Sequence, residues 1–230
     1  MFGTYFYHQT SRKMVVAFGT LFNNIEVRRT NSSDVVTEVL KIPLSYGPKD
    51  KMLARISSDP SLSSAVALTV PRMGFELTSM TYDGARKINT LGRNVKAGTT
   101  GLKKQYNPVP YNYDFSLYIF VKNAEDGTQI LEQVLPFFTP EFTITMDLVS
   151  GMDVKMDIPL VLSSVSSEDT YEGDFATRRS IIWTLSFSMK GFLYPNVVDN
   201  AKVITSSVVD THLMSEAVAA EPIYIVSEDS

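Results

Sequence analysis

Residues 111–122 alternate between two kinds of side chain, and this alternation constrains the fold more than any other feature of the chain. A period of two residues is typical of a β-strand that buries one face in a core. The buried set is wholly apolar, whereas the other set is mixed: Tyr111, Tyr113, Phe115, Leu117, Ile119 and Val121 alternate with Asn112, Asp114, Ser116, Tyr118, Phe120 and Lys122. The chain must therefore supply both a sheet and a core for this strand.

A helix is predicted directly after this strand, within AEDGTQILEQVLPFF. Glu125 and Asp126 lie where acidic side chains favour a helix N-terminus. Pro136 and Pro140 end the helix, because proline interrupts helical hydrogen bonding. The apolar positions at helical spacing are Ile130, Leu131, Val134, Leu135 and Phe138.

A second long strand is predicted within RRSIIWTLSFSMKGFLYPNVVD, residues 178–199. Its apolar face contains Trp183, the only tryptophan of the chain. The two faces are Ile181, Trp183, Leu185, Phe187 and Met189 on one side, and Ile182, Thr184, Ser186 and Ser188 on the other.

The remaining elements are shorter, and most are strands. We predict a helix over Ser11–Ile25 that Thr10 or Ser11 caps, a β-hairpin of Ile25–Thr30 with Val35–Leu44, and a short helix that Pro48 begins. Residues 57–64 are predicted as a loop, or as a loop that caps a helix through Ala65–Leu68. Strands are predicted over 75–82, 142–148 and 154–164, and a loop over 166–175. Consecutive strands with short turns favour antiparallel pairing. The predicted class is α+β, with a mostly antiparallel or mixed sheet, helices packed on one face, and a projecting hairpin and long loop.

Residues 84–112 form a basic segment in which no regular element is predicted. The segment contains four glycines and two prolines and has no acidic residue. Ordinary connections in compact domains are much shorter, about 4 to 6 residues, so this loop is predicted to be functional or partly disordered. Its basic residues are Arg86, Lys87, Arg93, Lys96, Lys103 and Lys104.

Length and charge indicate one domain over residues 1–199 and an acidic C-terminal arm over 200–230. The net charge is −4, and residues 203–230 contain five acids and no Lys or Arg, which leaves +1 for residues 1–202. A nearly neutral body argues against duplex nucleic acid as the main partner. Within the arm, Ile223–Val226 is predicted to add an edge strand to another surface.

Catalytic and metal sites are not indicated by the residues, so no cofactor and no enzymatic activity are predicted. The chain has no cysteine, and its two histidines, His8 and His212, lie near the termini. Gly98 and Gly101 are too close together for a phosphate-binding loop. A hydrolase that uses a histidine of an arm is the remaining enzymatic alternative. The absence of cysteine fits assembly in a reducing cytoplasm. No signal peptide and no apolar run of 18 residues is present, so no membrane partner is expected.

Several segments resemble the tail sheath stabiliser and completion proteins of T4-type contractile-tailed bacteriophages, which are tail terminators of the neck region. These segments are QYNP, QILEQVLPFFTPEF and RRSIIWTLSFSMKGFLYP, together with LFNNIEVRR and IPLSYGPKDKMLARI. The similarity extends from the MFGTYFY start to about Asp199.

The resemblance implies a structural virion protein that forms a ring, expected to be a hexamer, on the head-proximal end of the tail. Its implied partners are the tail sheath, the tail tube or tube terminator and the neck proteins, with DNA only as cargo that passes through the channel. The alternative is a tube terminator or a neck connector. We expect ring contacts from the 25–44 hairpin and the 105–121 segment, and partner contacts from Arg86, Lys87, Arg93, Lys96, Lys103, Lys104, Arg178 and Arg179.

Overall fold

The computed structural model describes residues 5–31, 33, 35–57, 70–97, 101–149, 151–171 and 179–201. Three α-helices are described: α1 (Thr10–Leu21), α2 (Lys49–Ser57) and α3 (Ala124–Val134). The strands are β1 (Glu26–Thr30), β2 (Val36–Lys41), β3 (Leu44–Tyr46), β4 (Arg72–Tyr82), β5 (Arg93–Ala97), β6 (Leu102–Tyr106), β7 (Val109–Val121), β8 (Glu141–Val149), β9 (Val154–Tyr171), β10 (Arg179–Leu193) and β11 (Val197–Ala201). The predicted α+β class is confirmed.

The main sheet has six strands in the order β3-β4-β7-β10-β9-β8. All neighbours are antiparallel except β3 and β4, which are parallel. β7 pairs with β10 from Val109 to Val121 and with β4 along most of its length. Both strands predicted from alternation therefore lie side by side in the middle of the sheet.

The core lies on the face of β7 that the alternation predicted to be apolar. Phe18 of α1 stacks on Phe115 with ring centroids 4.5 Å apart. Phe187 of β10 meets the Phe18 ring edge-on, with centroids 5.4 Å apart. Ile130 and Val134 of α3 are buried in the same cluster. α1 and α3 thus cover this face of the sheet, as expected.

α2 lies on the opposite face, which differs from the expectation that all helices share one face. Met52 of α2 packs with Tyr118, Phe120 and Ile182, whose side chains alternate with the core set on β7 and β10. Beyond this cluster the face is polar, and Asp114 accepts hydrogen bonds from the hydroxyl groups of Ser79 and Ser188 at 2.5 and 2.9 Å.

The described residues within 84–112 include β5, β6 and the start of β7, which differs from the predicted loop. After a short 3₁₀ helix, Gly84–Arg86, the chain forms β5 and β6 and enters β7 at Val109. β6 pairs with β5 on one side and with β11, which lies about 90 residues later, on the other. A strand whose partner is so distant in sequence gives no local signal beyond a short and imperfect alternation.

Other boundaries also differ from the predictions. α1 ends at Leu21 because two asparagines, Asn23 and Asn24, form the following turn. Gln9 lies at its N-cap with a left-handed φ of 58° and forms no side-chain cap, so neither Thr10 nor Ser11 serves as the cap. β9 continues to Tyr171 through most of the predicted 166–175 loop.

Two predicted elements lie outside the described residues. These are the helix through Ala65–Leu68 and the acidic arm after Ala201. The predicted hairpin is present as β1 and β2, and the short helix after Pro48 is present as α2. In the part of the chain that the structure describes, no helix is long and apolar enough to cross a membrane.

Gly127 of α3 lies against Trp183, and this contact predicts a stability effect. A Cβ at position 127 would lie 2.7 Å from Trp183 Nε1 and 3.2 Å from Val121 Cγ2. Gly127→Ala should therefore lower the free energy of unfolding by roughly 1–2 kcal/mol, because overpacking outweighs the gain in helix propensity. Urea denaturation followed by Trp183 fluorescence measures the change.

Gly151→Ala is the matched control, because a Cβ at position 151 meets no atom within 4 Å. The control should have a free energy of unfolding equal to or slightly above that of the wild type. Equal stability of the Gly127→Ala and Gly151→Ala variants would show that α3 does not approach β10 this closely.

Candidate interaction surfaces

The β1–β2 hairpin is attached to the body through two glutamines of α3. The side-chain amide of Gln129 donates to the backbone oxygen of Arg28 at 3.0 Å and accepts from its N–H at 3.1 Å. Gln133 forms the same reciprocal pair with Glu26, at 2.8 and 3.5 Å. Each carboxamide therefore takes the place of a residue on a neighbouring strand. At the outer edge of β1, the backbone N–H and C=O groups of Glu26 and Arg28 are therefore hydrogen-bonded by side chains of a helix instead of by a strand.

An ion pair also attaches the hairpin to α3. Arg29 donates to Asp126 at 3.0 Å and to Glu38 at 3.3 Å. The hydrogen bond to Asp126 raises the pKa of the Arg29 guanidinium above its usual value. Asp126 is buried in the first turn of α3, where the helix dipole also favours a negative charge. The hairpin is therefore held at a defined angle to the body.

The outer strand of the hairpin remains accessible. β2 is paired with β1, and in the described part of the chain no other strand is paired with it. Val36 and Val39 are about half exposed, and Arg28 on β1 is exposed. An exposed strand that carries apolar side chains and has one open edge is a template for contact with another protein.

An apolar groove of about 230 Å³ lies beside the hairpin base. It runs between the C-terminal end of α1, the end of α3 and the start of β8, and Phe137 at its rim is 66% exposed. The polar member of its lining is Gln133, so the groove offers no acid or base for catalysis. Its lining residues are Leu21, Phe22, Ile25, Gln133, Val134, Phe137, Phe138 and Phe142.

The three-stranded sheet β11-β6-β5 has an outer face that combines apolar and basic side chains. Val95, Lys104 and Val198 lie in one row across its three strands. In the next row Arg93 lies over the Tyr106 ring, 4.8 Å from its centroid, and donates to the Tyr106 hydroxyl at 3.0 Å. Two of the predicted basic contacts, Arg93 and Lys104, therefore share this outer face.

Arg86 has a structural position within the chain. Its guanidinium donates to Asp83 and to Asn112, each at 2.7 Å, and lies 5.1 Å from the centroid of the Phe192 ring. The hydrogen bond from Arg86 lowers the pKa of Asp83. Arg86 thus joins the 3₁₀ turn to β7 and β10, so little of its side chain remains for a partner.

The other predicted basic residues are distributed over different surfaces. Lys96 forms an ion pair with Asp153 in the turn between β8 and β9, and this bond lowers the pKa of Asp153. Lys103 is half-buried and lies opposite Lys96 in the register of β5 and β6. Lys87 is exposed after the 3₁₀ turn. Arg178 lies outside the described residues, and Arg179 begins β10.

The histidine within the described residues has a structural contact. His8 Nε2 lies 2.8 Å from the backbone oxygen of Pro195, which also accepts a hydrogen bond from Gln105 at 2.7 Å. Within the described ranges, no group of three His, Asp or Glu side chains is arranged to hold a metal ion.

Sequence reasoning missed the hairpin attachment and the outer face of the small sheet. Gln129 and Gln133 are four residues apart, so they lie on one side of α3, and this spacing was the available signal. Val95 and Tyr106 gave a weaker signal, because lysines and glycines surround them in the sequence.

Comparison with known proteins identifies relatives along nearly the whole chain. The family model of the T4-like virus Myoviridae tail sheath stabiliser matches residues 5–229. The tail completion protein gp15 of Enterobacteria phage T4 is 34% identical over 220 residues, which cover 92% of this chain and 80% of that protein. The match continues to residue 229, so the limit near Asp199 expected from the sequence was too short.

Removal of both glutamine amides should release the hairpin from α3. In a Gln129→Ala/Gln133→Ala variant, the backbone amides of Glu26 and Arg28 should exchange hydrogen faster. The free energy of unfolding should fall by about 1–3 kcal/mol, because several neutral hydrogen bonds are lost together. Hydrogen exchange followed by NMR measures the individual amides.

Glu132→Ala is the control, because Glu132 is exposed on the same helix between the two glutamines. Its exchange pattern in β1 should equal that of the wild type. Unchanged exchange of the Arg28 amide in the double variant would contradict the role of the glutamines as strand substitutes.

Proposed function

This chain belongs to the T4-like tail sheath stabiliser family, and from that premise we propose that it forms a hexameric ring that caps the head-proximal end of a contractile tail. The ring holds the sheath in its extended form and presents an attachment surface to the neck. The observation that carries the proposal is the match to the family model over residues 5–229. The family has a structural role in the phage tail.

The proposed activity is binding alone, without catalysis. Subunits join one another and bind the sheath, and the energy of these contacts opposes contraction of the sheath. The groove beside the hairpin supports this proposal, because its lining is apolar apart from Gln133 and contains no ionisable group.

A closed ring of heterologous contacts needs two different patches on each subunit. The β1–β2 hairpin is proposed as one patch, because it exposes Val36 and Val39 on a strand with an open edge. The apolar groove with Phe137 is proposed as the other patch, because its size and chemistry suit aliphatic side chains. Of the predicted 105–121 ring contact, residues 109–121 are withdrawn, because β7 is paired on both sides inside the sheet, and residues 105–108 stay a prediction.

The attachment of the hairpin to α3 supports its role as a docking element. A segment held in one orientation loses little entropy when it binds, so contacts by Val36 and Val39 contribute more of their energy to assembly. The two glutamine pairs and the Arg29–Asp126 ion pair supply this orientation.

Partner contacts by basic residues are proposed for Lys87 and Lys104. Lys87 is exposed, and Lys104 is half-exposed on the outer face of the small sheet. Among the described residues, neither forms an ion pair. They are placed to meet an acidic surface of the sheath or neck, or the DNA that passes through the channel. Arg178 and Arg179 remain proposed contacts, of which Arg179 begins β10 and Arg178 lies outside the described residues.

The capping proposal predicts that the hairpin valines are required for sheath stabilisation. Tails that lack this protein are mixed with the wild-type protein or with a Val36→Asp/Val39→Asp variant, and sheath length is measured by electron microscopy. The wild-type protein should keep the sheath extended, whereas the variant should not, because a charged side chain opposes burial in an apolar groove. Circular dichroism verifies that the variant is folded.

Val16→Asp is the control, because Val16 is also exposed but lies on α1 away from the hairpin. It should stabilise the sheath as the wild type does. Phe137→Asp should fail in the same way as the hairpin variant, because it alters the complementary patch. If the wild-type protein binds bare tubes or neck complexes but not sheathed tails, the capping proposal is contradicted and the tube terminator or neck connector is favoured.

A further inference from the structure

The outer face of the small sheet is unusually apolar for an exposed surface. Val95, Tyr106 and Val198 on this face are between 44% and 52% exposed, and Leu91 in the turn before β5 is 81% exposed. Val95 and Val198 flank Lys104 in the sheet, so they lie within two strand spacings of each other. Such a concentration of exposed apolar side chains marks a contact surface.

The outer edge of β5 is open next to this face. β5 is paired with β6, and in the described part of the chain no strand lies on its other side. Alternate backbone N–H and C=O groups of an edge strand point away from the sheet and are available to a further strand. Arg93, Val95 and Ala97 are the residues of β5 on the outer face.

The chain itself contains a segment that complements this edge. Residues 202–230 follow β11 directly, and they contain the run Ile223-Tyr224-Ile225-Val226 with Glu228 and Asp229 after it. We propose that residues 224–228 bind in cis to the outer edge of β5 as an antiparallel strand. This proposal goes beyond the capping function and does not depend on it.

Charge and side-chain size select one register for the added strand. Glu228 lies opposite Arg93, Val226 opposite Val95 and Tyr224 opposite Ala97. Opposite charges and apolar pairs directly across two strands each stabilise a sheet. Ile225 and Ser227 then point to the other face, because side chains alternate along a strand.

The antiparallel direction is favoured over the parallel one by Pro222. A parallel strand that placed Glu221 opposite Arg93 would include Pro222 in the pairing, and proline cannot donate a backbone hydrogen bond. In the antiparallel register, Pro222 lies beyond the paired residues.

The connection from β11 to the proposed strand is long enough to close within one chain. The new strand lies three strand positions from β11, about 14 Å at the usual spacing. Residues 202–223 span this distance with excess length, since an extended chain covers about 3.3 Å per residue. An intrachain segment also has a millimolar effective concentration, which favours binding in cis over binding to another copy.

Engineered cysteines test the register in the full-length protein. The natural chain has no cysteine, so a Val95→Cys/Val226→Cys variant contains a single defined pair. Directly opposed residues have Cα atoms about 4.5–5.5 Å apart, within the range that a disulfide bridges. Under mild oxidation this variant should form an intramolecular disulfide, detected by thiol counting and by its mobility as a monomer on non-reducing gels.

A Val95→Cys/Ile225→Cys variant is the matched control, because it moves the second thiol by one residue to the opposite face. It should form the disulfide at least tenfold more slowly. Equal rates for the two variants, or a disulfide that forms only between chains, would overturn the proposal.

The Arg93–Glu228 pair supplies a second test on the same cysteine variant. Arg93→Glu should slow disulfide formation about two- to fivefold, because it places like charges opposite each other. Addition of Glu228→Arg should restore the original rate. An unchanged rate of disulfide formation in the Arg93→Glu variant, or a slowed rate that Glu228→Arg does not restore, would contradict the register.

Discussion

The burial of β7 between β4 and β10 is the constraint on which the rest of the structure depends. Its alternate side chains face two different clusters, so α1 and α3 cover one side and α2 covers part of the other. Both backbone edges of β7 are paired. The surfaces available to other molecules therefore lie at the periphery: the hairpin, the groove at its base and the small sheet.

The peripheral elements are attached by specific polar contacts. Two glutamines of α3 replace a missing strand beside β1, and Arg86 links the 3₁₀ turn to the main sheet. Such contacts orient a surface without burying it, because the partners are polar and remain close to water. The proposed ring would need this combination in each subunit, since the contact surfaces must be exposed before assembly and already in the correct orientation.

The sequence predicted the centre of the fold well and its periphery poorly. The alternation around Phe115 and Phe187 is strong because each strand has one face in the core. β5 and β6 were missed because five-residue strands with lysines carry little pattern, and because the partner strand β11 is distant in sequence. The side on which α2 packs could not be read from Met52, since an apolar helix face fits either side of a sheet. Arg86 and Lys96 were predicted as partner contacts. The ion pair of Arg86 with Asp83 spans only three residues and was available from the sequence, whereas Lys96 meets Asp153 only in the folded chain.

The mass of the protein bound to the tail end tests the capping claim most directly. Light scattering of the purified protein, alone and after mixing with extended sheath on its tube, gives this mass. The account predicts an added mass of six times 25.6 kDa per sheathed tail, whether the ring forms before or after binding. A protein that remains monomeric and adds no mass to sheathed tails under any condition would contradict the account.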